Sequence, residues 1–335
     1  MQTLIFPQHY DARLNLRETQ RAIKFVKDTF QRELAGALNL DRISAPVILE
    51  GDSGLNDDLN GVERKVSFSM LHVEGSAEVV QSLAKWKRMS LYRYGYGPGE
   101  GIYTDMNAIR RDDLADNTHS IFVDQWDWER VIWPEDRNED FLKNTVRAIV
   151  DALSRTKDLL RARYPVLKRG IPKEVFFITT QELEDLYPAL SPKEREDRIT
   201  KEKGVVFLMQ IGDRLRSGAP HDGRAPDYDD WHLNGDILIW DEVLDRALEV
   251  SSMGIRVDSA AMDRQLSLAG ADERRQYPFH RMVLDGTLPL TIGGGIGQSR
   301  ICMLLLERAH IGEVQSSVWP AEMVSACREL NIFLL

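Results

Sequence analysis

Only two cysteines occur in 335 residues, Cys302 in an apolar run and Cys327 near the end. They are too few for a disulfide framework and lack the spacing of a metal site, so a reducing, cytoplasmic compartment is the economical reading. Basic charge is short as well: 43 Lys and Arg stand against 53 Asp and Glu, a net charge of −10. Binding a nucleic-acid backbone leans on clustered cations, so this balance argues against nucleic acid as the main partner while leaving small anionic ligands open. No apolar stretch approaches the length of a membrane span, and the N-terminal run Met1-Gln-Thr-Leu-Ile-Phe-Pro7 lacks the basic region and long apolar core of a signal peptide. Low-complexity segments and internal repeats are absent too. What remains is a chain with 43% hydrophobic residues, enough to bury a large core.

The richest stretch is Thr291-Ile-Gly-Gly-Gly-Ile-Gly-Gln-Ser-Arg300, followed by Ile301-Cys-Met-Leu-Leu-Leu306. A strand-like entry runs into four glycines and then into a run with helical spacing at Ile296, Met303 and Leu304. Glycines let a nucleotide lie on bare backbone, and the fork of Arg300, one turn into the helix, suits phosphate oxygens. The same letters also suit a plain turn with Arg300 in a surface ion pair. Neither a phosphate-binding P-loop nor a dinucleotide fingerprint is present, since no Gly-Lys-Ser/Thr and no further strand-helix-strand unit follow.

Spacing predicts an amphipathic helix over residues 18–38, with Ile23, Val26, Phe30, Leu34 and Leu38 inward, and a strand over residues 42–49. Pro46 places that strand at an edge, either a plain one or one at a subunit contact. Residues 51–61 read as a loop whose acids, Asp52, Asp57 and Asp58, are ordinarily turn formers. A helix is predicted over residues 79–91, with Lys85, Lys87 and Arg88 on a basic face that is either solvated or ready to receive a carboxylate.

In residues 119–129, Phe122, Trp126 and Trp128 share one strand face, while Ile121, Val123, Gln125, Asp127 and Glu129 share the other. The aromatic face must pack on helices, and the mixed face fits a concave polar pocket. Residues 101–110 read as its antiparallel partner, with Arg110 hanging over that pocket. Helices are predicted over residues 138–163 and 192–203, and strands over 174–179, 204–211 and 314–320. Residues 212–234 read as a long irregular loop, a length common in binding lids. Strands over residues 235–240 and 247–251 carry Asp236 and Glu249, two acids on neighbouring strands whose burial calls for a cation such as Mg²⁺ or a hydrogen-bond network. Arg256 is the simple ion-pair partner for either acid. Helices around 258–269 and 272–285 lead back to the glycines.

Several runs together resemble one family over nearly the whole chain. Asp57-Asp-Leu-Asn-Gly61, Ser82-Leu-Ala-Lys-Trp-Lys-Arg88, Val123-Asp-Gln-Trp-Asp-Trp-Glu-Arg130, Ala225-Pro-Asp-Tyr-Asp-Asp-Trp231, Ser251-Ser-Met-Gly-Ile-Arg256 and the glycine stretch resemble the ammonia-dependent asparagine synthetases, aspartate:ammonia ligases. That family is similar to the catalytic domain of class II aspartyl- and asparaginyl-tRNA synthetases. The resemblance implies an α+β fold, an antiparallel sheet flanked by helices, as a single domain over residues 1–335 without an anticodon-binding domain. It further implies a homodimer, with ATP, Mg²⁺, L-aspartate and ammonia as ligands.

By the same resemblance Arg110 holds the α-phosphate and Arg300 the γ-phosphate, with Gly294, Gly295 and Gly297 under the nucleotide. Asp236 and Glu249 match the metal-binding acids, and Ser82, Lys87, Gln125, Asp127 and Arg256 surround the amino acid. Asp57 matches a family-specific segment and is the candidate base that takes a proton from ammonium. The join Trp231-His-Leu-Asn234 is shorter than in some relatives. Two other readings keep the fold and change the function: a non-catalytic sensor of amino acid or nucleotide, and an aminoacyl-tRNA synthetase. The acidic balance and the lack of room for an anticodon domain weigh against the synthetase.

Overall fold

The fold is taken from a computed structural model that describes residues 4–57 and 63–335. In chain order it runs α1 (Leu16–Leu38), β1 (Leu40–Arg42), β2 (Ile48–Glu50), β3 (Ser67–Ser69), β4 (Ser76–Val79), α2 (Ala84–Tyr94), β5 (Gly101–Ile109), β6 (Phe122–Val131), α3 (Glu139–Arg163), β7 (Phe176–Thr179), α4 (Thr180–Leu186) and α5 (Pro192–Lys203). There follow β8 (Val205–Met209), β9 (Asp229–Asp241), β10 (Arg246–Arg256), α6 (Ser259–Leu268), α7 (Pro278–Leu284), β11 (Thr291–Gly297), α8 (Gln298–Leu305) and α9 (Ala321–Glu329).

Eight strands form one sheet in the order β1-β5-β6-β11-β10-β9-β8-β7, and β2-β4-β3 form a second, smaller one. The large sheet is antiparallel through its centre, as the sequence implies, but its two outermost pairings, β1 with β5 and β7 with β8, are parallel. Local chemistry fixes the helices that cover it. Asn15 caps α1 by accepting from the Glu18 N–H while Glu18 reaches back to the Asn15 N–H, and Asn39 ends the helix in the left-handed region at φ 55°. Val26, Phe30, Leu34 and Leu38 of α1 are buried, in one core with the inner stripe of α3 and with Trp126 and Trp128 of β6. Phe30 and Trp126 meet at 4.8 Å between ring centres. Because side chains alternate, that packing turns Gln125, Asp127 and Glu129 to the opposite face, where the functional cavity lies.

Several sequence expectations need correction. Residues 42–49 are not one strand: β1 lies in the large sheet and β2 in the small one, and Pro46, which has no N–H to donate, sits in the join. Val79 ends β4, opposite Ile48, and α2 starts only at Ala84, so Val79, Val80 and Ser82 precede the helix. The irregular connection is residues 210–228, because β9 already begins at Asp229 and pairs with Arg256. Residues 314–320 form no strand and lead directly into α9. The glycines lie within strand β11 and not in a turn. Asp58 and the remainder of its run to Gly61 fall outside the described residues. Among the described residues no helix is long and apolar enough to cross a membrane. Cys302 and Cys327 are both buried thiols without a disulfide.

Candidate active site

A cavity of about 570 Å³ opens over the centre of the large sheet. Its walls include Ser82, Arg110, Gln125, Asp127, Asp236, Glu249, Arg256, Gly294, Gly295, Gly297 and Arg300. Lys87 and Asp57 do not line it: both are buried behind the wall.

The glycines of β11 explain how so many polar groups fit there. Gly293 stands opposite Glu129 and Gly254, and a Cβ on it would run into the Glu129 carboxylate and come within 2.6 Å of the Arg256 guanidinium. A Cβ on Gly295 would strike the Gln125 amide. These two positions keep a flat floor over which long side chains from β6 and β10 lie. Gly294 faces the other way, where a Cβ would stand 2.5 Å from that of Met253, so its share in the cavity is backbone alone.

On this floor lies a network of buried charges. Arg256 donates from Nε and Nη2 to Glu129, at 3.0 and 2.8 Å, and from Nη1 to Asp229. The sequence reading paired Arg256 with Asp236 or Glu249; past the register shift at the end of β10 it meets instead Glu129 of β6 and Asp229 at the start of β9. Thr291 donates to Glu129 at 2.7 Å. Burial pushes the Glu129 carboxyl up, but Arg256 and Lys87 outweigh it and hold it below the ordinary glutamate range. Lys87 donates to Asp127 and to the Trp128 carbonyl at 2.8 Å. Burial pushes the Lys87 ammonium down and the Asp127 carboxyl up, each opposed by the other's charge.

The basic face of α2 is therefore not solvated. Lys85 reaches Asp227 at 3.2 Å, and Arg88 donates to the carbonyls of Val257 and Pro289 at 2.8 and 2.9 Å. Asp227 also meets His280 and Arg274, each at 3.0 Å. Lys85, Arg274 and His280 converge on Asp227 and hold residues 225–229 as wall of the cavity.

At the other end, Arg110 leaves β5 with its Nε buried and without a hydrogen-bond partner among the described residues. Arg300, in the first turn of α8, donates to the carbonyls of Glu249 at 3.0 Å and Thr118 at 3.4 Å. Both arginines act on Asp113, whose carboxyl burial pushes up and they pull down. Asp236 of β9 and Glu249 of β10 lie diagonally on neighbouring strands, Asp236 opposite Ser252 and Glu249 opposite Leu238 with a register shift between. Burial, with the charge of Glu249 added, pushes the Asp236 carboxyl up to about 6 even though Arg224 stands 2.6 Å away. Among the described residues no cluster of three acids or histidines could hold a metal by itself. Two partly exposed carboxylates, at 14% and 35% side-chain exposure, beside Arg224 and Arg300 instead fit a hard cation that arrives with its own oxygen ligands.

Sequence reasoning missed Arg224, Tyr228 and Asp229. All three line the cavity, yet they fall in the segment read as an irregular loop. The available signal was position: Arg224 immediately precedes the matching run Ala225-Pro-Asp-Tyr-Asp-Asp-Trp231.

Known proteins can be set beside this geometry. A profile of the aspartate-ammonia ligase family (AsnA) matches residues 17–331. The chain is 60% identical to the aspartate–ammonia ligase of Clostridium tetani over 99% of this chain and 98% of that one. It is 57% identical to that of Lactobacillus johnsonii over 99% and 100%. In three dimensions it is similar to the asparaginyl-tRNA synthetase of Pyrococcus horikoshii complexed with asparaginyl-adenylate, with TM-score 0.65 and 14% identity over 90% of this chain and 70% of that one. That likeness concerns the fold. Agreement at this level along almost the full length leaves one assignment: the chain belongs to the aspartate–ammonia ligase family.

Proposed function

We propose that the cavity joins ammonia to the β-carboxylate of L-aspartate at the expense of ATP, through a β-aspartyl-adenylate, and releases AMP and pyrophosphate. The observation that carries the reading is the pairing of two arginines at one end with a buried carboxylate and guanidinium floor at the other, inside one cavity. A carboxylate is a poor electrophile. One of its oxygens attacks the α-phosphorus, the bond to the bridging oxygen breaks, and pyrophosphate leaves with the electron pair. Arg110 and Arg300 neutralise the charge that develops on the phosphoryl oxygens. Asp236 and Glu249 would hold Mg²⁺ on the phosphates, and that ion supplies further charge neutralisation when bound.

Ser82, Gln125 and Asp127 face the amino acid, with Asp127 taking its ammonium. Arg256 retains N–H groups for the free carboxylate beyond those given to Glu129 and Asp229. Lys87 acts as a positioning residue through Asp127, since it is buried behind the wall. In the second step the ammonia lone pair attacks the carbonyl carbon, AMP departs with the bond to oxygen, and a proton must be removed from nitrogen. Asp57 is the base in this reading. The hydroxyl of Tyr228, a cavity wall, is held well above its ordinary range by burial and then by the charge of Asp57, which supports a carboxylate acting just behind that wall. Asp57→Asn is expected to retain ATP–pyrophosphate exchange and to lower asparagine formation by about 10²-fold or more. Equal loss of both activities would remove Asp57 from the second step.

The enzyme works as a homodimer in the cytoplasm. Exposed Val47, Ile48, Phe68 and Val73 around the small sheet support a contact between copies, and the two unpaired buried thiols support a reducing compartment.

A further inference from the structure

Arg224 reaches the cavity from the connection between β8 and β9, and nothing in the reaction as described uses it. Its Nη2 donates to Asp236 Oδ1 at 2.6 Å, its Nη1 donates to Ser252, and its Nε is buried without a hydrogen-bond partner among the described residues. The side chain is 9% exposed, so these contacts are enforced by packing. The carboxylate it holds is one of the two acids read here as ligands of the nucleotide's metal, and the inference rests on that reading.

A guanidinium and a divalent cation on one carboxylate repel each other, and a charge-assisted hydrogen bond must weaken before the cation gains full use of that oxygen. A triphosphate reverses the balance. It brings oxygens that satisfy the cation and also offers acceptors that match the arginine fork. The remaining positive groups around these acids do not duplicate the effect. Arg300 sits by Glu249, with Nη1 3.8 Å from its carboxylate, and Lys193 is 61% exposed and paired with Glu196 at 3.0 Å.

We propose that Arg224 couples metal binding to nucleotide binding: it competes with a bare divalent cation for Asp236 and binds the phosphates of a cation–nucleoside triphosphate complex, so the two enter together. The coupling needs no movement beyond one side chain, since donors remain on the guanidinium for the incoming anion.

The test is a titration of the full-length protein with Mn²⁺, read by electron paramagnetic resonance, with and without the non-cleavable analogue α,β-methylene-ATP. Arg224→Gln is expected to bind bare Mn²⁺ about tenfold more tightly than the unaltered protein and the Mn²⁺–analogue complex about tenfold more weakly. Such opposite shifts cannot come from misfolding. Arg224→Lys keeps the charge and loses the fork, so bare Mn²⁺ should stay weak while the analogue complex weakens. Bare Mn²⁺ binding by Arg224→Gln that is unchanged or weaker overturns the inference while leaving the ligase reading intact. Wild-type Mn²⁺ affinity in the analogue complex of Asp236→Asn removes Asp236 from the metal and overturns the inference together with the metal-ligand reading it rests on.

Discussion

Arg110→Ala is expected to slow ATP–pyrophosphate exchange by about 10²–10³-fold, the usual cost of removing one preorganised charge from a developing transition state. The side chain suits this role because its Nε is buried and no protein acceptor among the described residues uses it. Little structure depends on it, so the variant should fold normally and lose kcat. Arg300→Ala should differ in kind. Its guanidinium is anchored to the carbonyls of Glu249 and Thr118, and in the proposed reading its removal takes away a binding contact at the far end of the triphosphate. A raised KM for ATP with a smaller fall in kcat is the expected pattern. Steady-state exchange kinetics with ATP varied, beside an unfolding curve for each variant, separates these outcomes; full activity in Arg110→Ala would exclude it from the adenylation step.

Arg256→Ala should be the most destabilising single change, by about 3–5 kcal/mol, because it strands buried carboxylates without their counter-ion. Glu129 and Asp229 are 0% and 1% exposed, and Lys87 at 3.7 Å is the cation left beside Glu129. Urea unfolding measures the loss; a change below about 1 kcal/mol would mean that the network does not depend on this arginine. The same network sets an acid limit. The Glu129 carboxyl is held below its ordinary value in the folded chain, so its stabilisation is complete above the unfolded glutamate pKa and is lost as pH falls through the depressed folded one.

Much of this site is visible in the sequence where one local rule decides. The alternation in residues 122–129 separates the tryptophans from Gln125, Asp127 and Glu129: the core takes the former, the cavity takes Gln125 and Asp127, and Glu129 is buried against Arg256. The apolar stripes of α1 and α3 are equally plain because periodicity and burial agree. Partnership across the sheet is not written locally. Nothing in Ser251-Ser-Met-Gly-Ile-Arg256 says that the arginine meets Glu129, since that depends on which strand lies two places away and on the irregular register of β9 and β10. Lys85, Lys87 and Arg88 look like a wet surface because burying three cations is costly, and only Asp227, Asp127 and distant carbonyls make it possible. The acid-rich segment before β9 looks like a lid for the same reason: its aspartates resemble turn formers until their lysine, histidine and arginine partners are known.

Transfer of oxygen from aspartate tests the central claim most directly. With ¹⁸O in both oxygens of the β-carboxylate, activation at the α-phosphorus places one ¹⁸O atom in AMP for each asparagine formed, detected by mass spectrometry. Label in inorganic phosphate with ADP as the other product, or unlabelled AMP, would contradict an adenylate formed between Arg110 and Arg300.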